Sequence, residues 1–165
     1  PHDWITGRYG YLPLFEGDFD LVPWLATLGK DWQINAMSHK PYPSGRLTHG
    51  VVDGLGQLMA RHGFAADDIR SVEALVPPLV HRLVGRPDIP APEANYAKLC
   101  LAYVAGVFLA RGRVDVPEFR APVLTDPDVH RHAAKVTVTL VRNPDQNALD
   151  PQVIRVQLTS GATHA

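Results

Sequence analysis

The sequence holds a single cysteine, Cys100, among its 165 residues. That excludes an internal disulfide framework, and any zinc or iron–sulfur site built from several thiolates of one chain. A reducing, cytoplasmic setting fits this count. The first residues also lack a charged stretch leading into an apolar one with a small-residue cleavage site, so secretion is not expected. Net charge is nearly absent, with 16 Lys and Arg against 17 Asp and Glu for a formal charge of -1. Without a basic field, neither nucleic acid nor an anionic membrane is an expected partner. Long apolar runs are missing as well. The longest extends only from Leu99 to Ala110, between Lys98 and Arg111, well short of the roughly 18 residues that suggest a membrane span. Gly54-x-Gly56 lacks the third glycine of a dinucleotide fingerprint, and Ser44-Gly45 has no glycine two residues ahead of the serine as a nucleophile elbow requires. No cofactor is expected.

What is present is ordinary globular material: 45% hydrophobic and 20% charged residues in 18.1 kDa, enough for one domain with one core. Pro1 stands where Met would start a chain, with Trp4 and Ile5 close behind, so the expectation is a piece of something longer. Trp4, Tyr9, Tyr11, Phe15, Phe19 and Trp24, interspersed with Gly7, Gly10 and Gly17, read as a packed loop rather than a linker. Asp20 can cap a short helix bearing Leu21, Trp24, Leu25 and Leu28, which Gly29 would stop. Trp32 to Ala36 reads as extended. Pro41 and Pro43 keep their preceding residues out of helical geometry and make 39–46 a loop. Thr48 is the expected N-cap of a helix whose Val51, Val52, Leu55, Leu58 and Met59 form one apolar stripe before Gly63. Gly50, Gly54 and Gly56 each weaken that helix by roughly 1 kcal/mol, which suggests close approach by another backbone.

Farther along, Val72, Ala74 and Val76 alternate as a half-buried strand does, and Pro77-Pro78 favour an edge strand or a bulge. Pro92 is expected to open a single buried helix running to about Arg111. Asp126-Pro127 opens another, through Ala134. Val136, Val138 and Leu140, then Ile154, Val156 and Leu158, alternate as two strands of an antiparallel sheet joined by the polar stretch 143–150. The expected class is α+β, an antiparallel sheet packed with three to four helices.

The densest polar cluster is His39, Lys40, Tyr42, Ser44, Arg46, Thr48 and His49, on a loop that enters a helix N-terminus. Two cations, two imidazoles and a phenol at the positive end of a helix dipole suit a ligand with several carboxylates. On composition alone, a solvated turn with Tyr42 packed on proline is the simpler account. His130 and His132 are two apart, face different directions on a helix and read as a solvated face, so no metal site is expected. Cys100 sits in the most apolar segment, where a buried inert thiol is the better reading. Lys98 and Tyr103 diverge on their helix and are weak candidates for a partner surface. Asp53, Arg61, His62, His81, His2 and His164 read as exposed, without a role.

Lys40-Pro41-Tyr42-Pro43, followed by Arg46, Thr48 and His49 and then the helix from Val51 to His62, resembles the MmgE/PrpD family. Further pieces fall in matching order: Gly7-Arg8-Tyr9-Gly10, Asp68-Ile69-x-x-Val72-Glu73, Ala97 to Tyr103 with Gly112, Phe119, and Asp126-Pro127-x-Val129 leading to Lys135-Val136. The resemblance spans nearly the whole chain. It implies a lyase or isomerase of small di- or tricarboxylates, such as 2-methylcitrate dehydratase, cis-aconitate decarboxylase or iminodisuccinate epimerase, working without cofactor. It also implies a homodimer in which an all-helical N-terminal domain and an α+β lid enclose the active site, this chain being the lid. By the same resemblance Lys40 and Arg46 pair with substrate carboxylates, Tyr42 closes the pocket, and His49, with Lys40, takes part in catalysis by hydrogen bonding or proton exchange. The chain departs from the commoner pattern at Ser44-Gly45 and at Lys98, which bears on the substrate. A stand-alone α+β module that binds an organic acid or a protein surface is the alternative reading.

Overall fold

A computed structural model describes residues 3–17 and 20–165, which fall into two units, 1–39 and 40–165. The expectation for Phe19, like the remarks on Pro1 and His2, lies outside the described residues. In the first unit, α1 (Tyr11–Phe15) is followed by α2 (Leu21–Thr27), where the Asp20 carboxylate accepts the Val22 N–H at 2.9 Å. Gly29 takes φ +73° beyond the end of α2, a conformation open to glycine without strain. Gln33–Ala36 is a 3-10 turn and not the extended segment expected. The packed aromatic loop is also corrected. Trp4, Tyr9, Phe15 and Trp24 are all exposed, because helices of five and seven residues give these rings no layer of their own to pack into.

The second unit is built around a sheet. Its elements are α3 (His49–His62), β1 (Ile69–Val76), α4 (Pro78–Val84), α5 (Ala94–Lys98), α6 (Leu101–Arg111), α7 (Pro127–Ala133), β2 (Val136–Leu140), β3 (Val153–Leu158) and β4 (Thr163–His164). The α+β class holds, but the sheet is mixed rather than antiparallel, in the order β2-β1-β3-β4. The strands expected to pair with each other, β2 and β3, instead flank β1. Val72 lies opposite Val136 in the parallel pair and opposite Val156 in the antiparallel one. A long helical excursion from β1 to β2 is what allows a parallel return, whereas a hairpin allows only an antiparallel one.

β1 is therefore central, not an edge. Pro77 and Pro78 lie just past its end, and Pro78 occupies the first turn of α4, where its missing N–H leaves no bond unmade. Ile69, Val72, Ala74 and Val76 point from β1 into a core shared with Val51, Leu55 and Leu58 of α3 and Leu101, Ala105 and Leu109 of α6. The other face is polar, with Glu73 accepting from Thr139 Oγ1 at 3.2 Å and pairing with Arg155 at 3.3 Å.

The single helix expected from Pro92 to Arg111 is two, which with α4 exceeds the three or four helices foreseen. Cys100 takes an extended backbone (φ -103°, ψ 106°) and bridges antiparallel to Gly85, and its thiol donates to the Arg86 carbonyl at 3.3 Å. That bridge interrupts the helical ladder at one residue. The thiol itself is buried as foreseen, and burial pushes its pKa up. Beyond the break, α6 is buried nearly all round.

α6 and α7 touch at Gly106, where an added Cβ would stand 2.6 Å from the Val129 carbonyl oxygen and 2.8 Å from Ala133 N. The glycines of α3 meet side chains, not a backbone as expected: Ile154 at Gly54 and Phe108 at Gly56. Thr48, though it precedes α3, does not cap it with its side chain.

The histidines of α7 are not a solvated face. His132 is 2% exposed, its Nε2 accepting from Arg131 at 3.0 Å, and burial holds its pKa below the ordinary value. His130 Nδ1 lies 2.6 Å from Asp88 Oδ2 and Nε2 lies 3.0 Å from the Leu124 carbonyl. Both partners offer acceptor oxygens, so the site favours the protonated ring, which donates from both nitrogens. Burial opposes that charge, but Asp88 and Leu124 outweigh it and the pKa is raised.

Two outcomes follow for stability. Gly106→Ala forces backbone apart at the α6–α7 contact and should lower unfolding free energy by about 1–3 kcal/mol in a denaturant titration. His130→Gln should cost ~1–2 kcal/mol below the ordinary histidine pKa. A group whose pKa is raised on folding stabilises fully below its unfolded pKa and loses that contribution as pH rises through the folded one. The gap between wild type and His130→Gln should therefore shrink from pH 6 to pH 9, and a gap independent of pH would refute the charged pair.

Candidate functional site

The Lys40–Gly45 loop is fixed from beneath by hydroxyls. Ser44 is 4% exposed, and its Oγ lies 2.9 Å from Thr48 Oγ1. Thr48 Oγ1 donates to the Gly45 carbonyl at 2.8 Å. With its one proton spent there, Thr48 accepts from Ser44, and the chain of donors runs one way. Arg46–Thr48 form a 3-10 turn that feeds α3 directly, so His49 enters at the first residue of the helix.

His49 is 8% exposed, and its Nε2 is buried with no hydrogen-bond partner. Burial holds its pKa below the ordinary histidine value and the Lys40 charge pushes the same way, against the pull of the Ser44 main chain and Asp53. The ring is therefore neutral at pH 7. The Tyr42 ring stands edge-on to it, centroids 5.2 Å apart, and Tyr42 Oη donates to Asp53 Oδ1 at 2.7 Å. Burial, reinforced by the Asp53 carboxylate, moves the Tyr42 pKa up to about 12, so the phenol stays protonated and serves as a donor.

Of the residues singled out from sequence, Lys40, Tyr42 and His49 are thus brought together. Lys40 is exposed and lines a hollow of about 510 Å³ with Pro43, Ser44, Asn95, Lys98 and Leu99. Arg46 is not in that group. It lines a smaller hollow of about 190 Å³ with Val80, Leu149, Asp150 and Gln152. Sequence reasoning passed over Asp53, one helical turn beyond His49, though i,i+4 spacing from a histidine was the signal that could have found it. It also took Tyr103, diverging from Lys98 on the same helix, as a weak candidate for a partner surface. Tyr103 is instead fully buried, its hydroxyl donating to the Glu118 carbonyl at 3.0 Å.

A neutral imidazole whose orphaned ring nitrogen is buried, packed on a phenol and within the field of an ammonium, pairs a proton acceptor with a carboxylate-binding cation, and a ligand would meet that nitrogen only once it is uncovered. Among the described residues, no group of three or more His, Cys, Asp or Glu side chains is placed to hold a metal ion. Among the same residues, no helix is long and apolar enough to cross a membrane.

No curated protein matches the chain. A family model does, the MmgE/PrpD C-terminal domain, over residues 42–164. The matched span contains Tyr42, Arg46, His49 and Asp53 and every helix and strand of the second unit, with Lys40 two residues ahead of it. A match over most of the chain, on the fold and loop just described, places this protein in the MmgE/PrpD family as its C-terminal domain.

Proposed function

We propose that this chain is the lid portion of a cofactor-independent lyase or isomerase of small polycarboxylates, similar to 2-methylcitrate dehydratase, and that it supplies carboxylate-binding residues to a site closed by an N-terminal all-helical domain. The observation that carries the reading is the neutral, unpartnered His49 imidazole packed against Tyr42 and within the field of Lys40. In a family whose implied chemistry moves a proton next to a carboxylate, this is the combination such a step needs. The parent protein in this reading is a cytoplasmic homodimer.

The roles divide by position. Lys40 binds the carboxylate adjacent to the reacting carbon and takes up the extra negative charge as electrons move onto it. His49 Nε2, unprotonated at working pH and free of competing partners, exchanges the proton once ligand binding uncovers it. Tyr42, kept protonated and oriented by Asp53, closes the pocket and offers its ring edge to His49. Arg46, in its own hollow, anchors a more distant carboxylate.

In the full-length enzyme that carries this domain, Arg46→Ala should raise KM for 2-methylcitrate or cis-aconitate by about 10- to 100-fold with kcat largely kept, the size of one charge-assisted contact. His49→Gln should lower kcat by about 10²–10⁴ with little change in KM, as expected for loss of a proton-transfer group. Steady-state kinetics checks both, and unchanged constants in the two variants would remove the assignment. The electrostatic link has a separate readout in the 165-residue chain. Lys40→Gln removes a charge that lowers the His49 pKa, so the His49 titration midpoint followed by NMR should move up. A midpoint that stays or falls would show that Lys40 does not act on this ring.

A further inference from the structure

A second lysine, Lys98, lines the hollow that Lys40 lines. Lys98, at the end of α5, is half-buried, and it shares that hollow with Lys40, Ser44 and the Asn95 amide. Its place is fixed by main chain rather than by side-chain chance. The Gly45 N–H donates to the Lys98 carbonyl at 2.8 Å, tying the loop that carries Lys40 to the helix end that carries Lys98. A Cβ on Gly45 would come within 2.9 Å of Leu99 Cδ2 and 3.4 Å of that carbonyl oxygen, so a larger residue there would push the Leu99 side chain aside. The Lys98 Nζ also stands 5.8 Å from the centre of the buried Phe119 ring, a cation–π contact that limits where the ammonium can go.

Among the described residues neither Lys40 nor Lys98 belongs to an ion pair. Two like charges gathered in one hollow repel each other, and a ligand with two negative groups relieves that repulsion where a ligand with one relieves only part of it. Asn95 adds a neutral donor at the rim.

We infer that Lys98 is a specificity-determining residue of this site: it binds a second carboxylate of the ligand whose first is held by Lys40, so the hollow selects di- and tricarboxylates over monocarboxylates. The inference rests on the proposed carboxylate-binding role of the Lys40 loop and adds to it the residue that counts the charges.

Isothermal titration calorimetry of the full-length protein that carries this domain, at fixed ionic strength, tests it, with propane-1,2,3-tricarboxylate, glutarate and butanoate as probes. Wild type should bind the tricarboxylate and glutarate at least about tenfold more tightly than butanoate, the worth of one charge-assisted contact. Lys98→Gln should erase most of that preference while leaving butanoate affinity within about twofold, Lys98→Arg should keep it, and Lys98→Glu should lower tricarboxylate affinity below that of Lys98→Gln. Thermal melts confirm that each variant is folded, and Lys98→Arg serves as the reference should Lys98→Gln melt early. A preference unchanged in Lys98→Gln but lost in Lys40→Gln overturns the role of Lys98 and leaves the proposed function standing. If wild type binds none of the three probes, both fall.

Discussion

Everything in the second unit is arranged around the burial of α6 on nearly all its faces. Leu101, Ala105 and Leu109 meet the sheet and α3, while Tyr103, Val104 and Val107 belong to a second cluster with Val52, Val114, Phe119 and Val129. A helix buried this completely has to satisfy its polar groups without water. Tyr103 does so through the main chain around Glu118, and Gly106 removes the one side chain that would hold α7 away. Because packed interiors tolerate little change of volume, α6 fixes the spacing between the sheet and the outer helices.

The candidate site inherits its precision from that scaffold at one remove. α3 lies against α6 and the sheet through Val51, Val52 and Leu55, which leaves His49 and Asp53 on the same helix one turn apart. α5 ends just before the break at Cys100, so its last residue, Lys98, presents a free carbonyl to the loop at Gly45. A continuous helix through residue 100 would have committed that carbonyl to its own ladder. The interruption therefore brings a cationic helix end up against the Lys-Pro-Tyr-Pro loop, and the site depends on an irregularity in the backbone more than on any regular element.

Where a single periodicity governs the structure, the sequence was sufficient. The stripe of α3, its stop at Gly63, the caps Asp20 and Asp126, and the alternation of β3 all appear as their residues suggest. It was insufficient wherever a long-range contact overrides local preference. The direction of β2 relative to β1 is set by the path of the helices between them, which no alternation of Val136 and Thr137 encodes. The break at Cys100 is dictated by Gly85, and the ionisation of His130 by Asp88, each far along the chain. In the site, the cationic loop was visible as a cluster of residue types. Its division into a Lys40 hollow and an Arg46 hollow was not, because neighbours in sequence on a proline-rich turn can face opposite ways.

The lone thiol acquires a use from its position in the bridge to Gly85. Buried, engaged with the Arg86 carbonyl and kept protonated by its surroundings, it has little thiolate to offer a reagent while the bridge is closed. Its alkylation rate thus measures how often the bridge between Gly85 and Cys100 opens, a local clock for the backbone two residues from Lys98. With one cysteine in the chain, no second signal complicates the count, and ligand that braces the Lys40 loop against α5 would be read as a slower clock without any label being introduced.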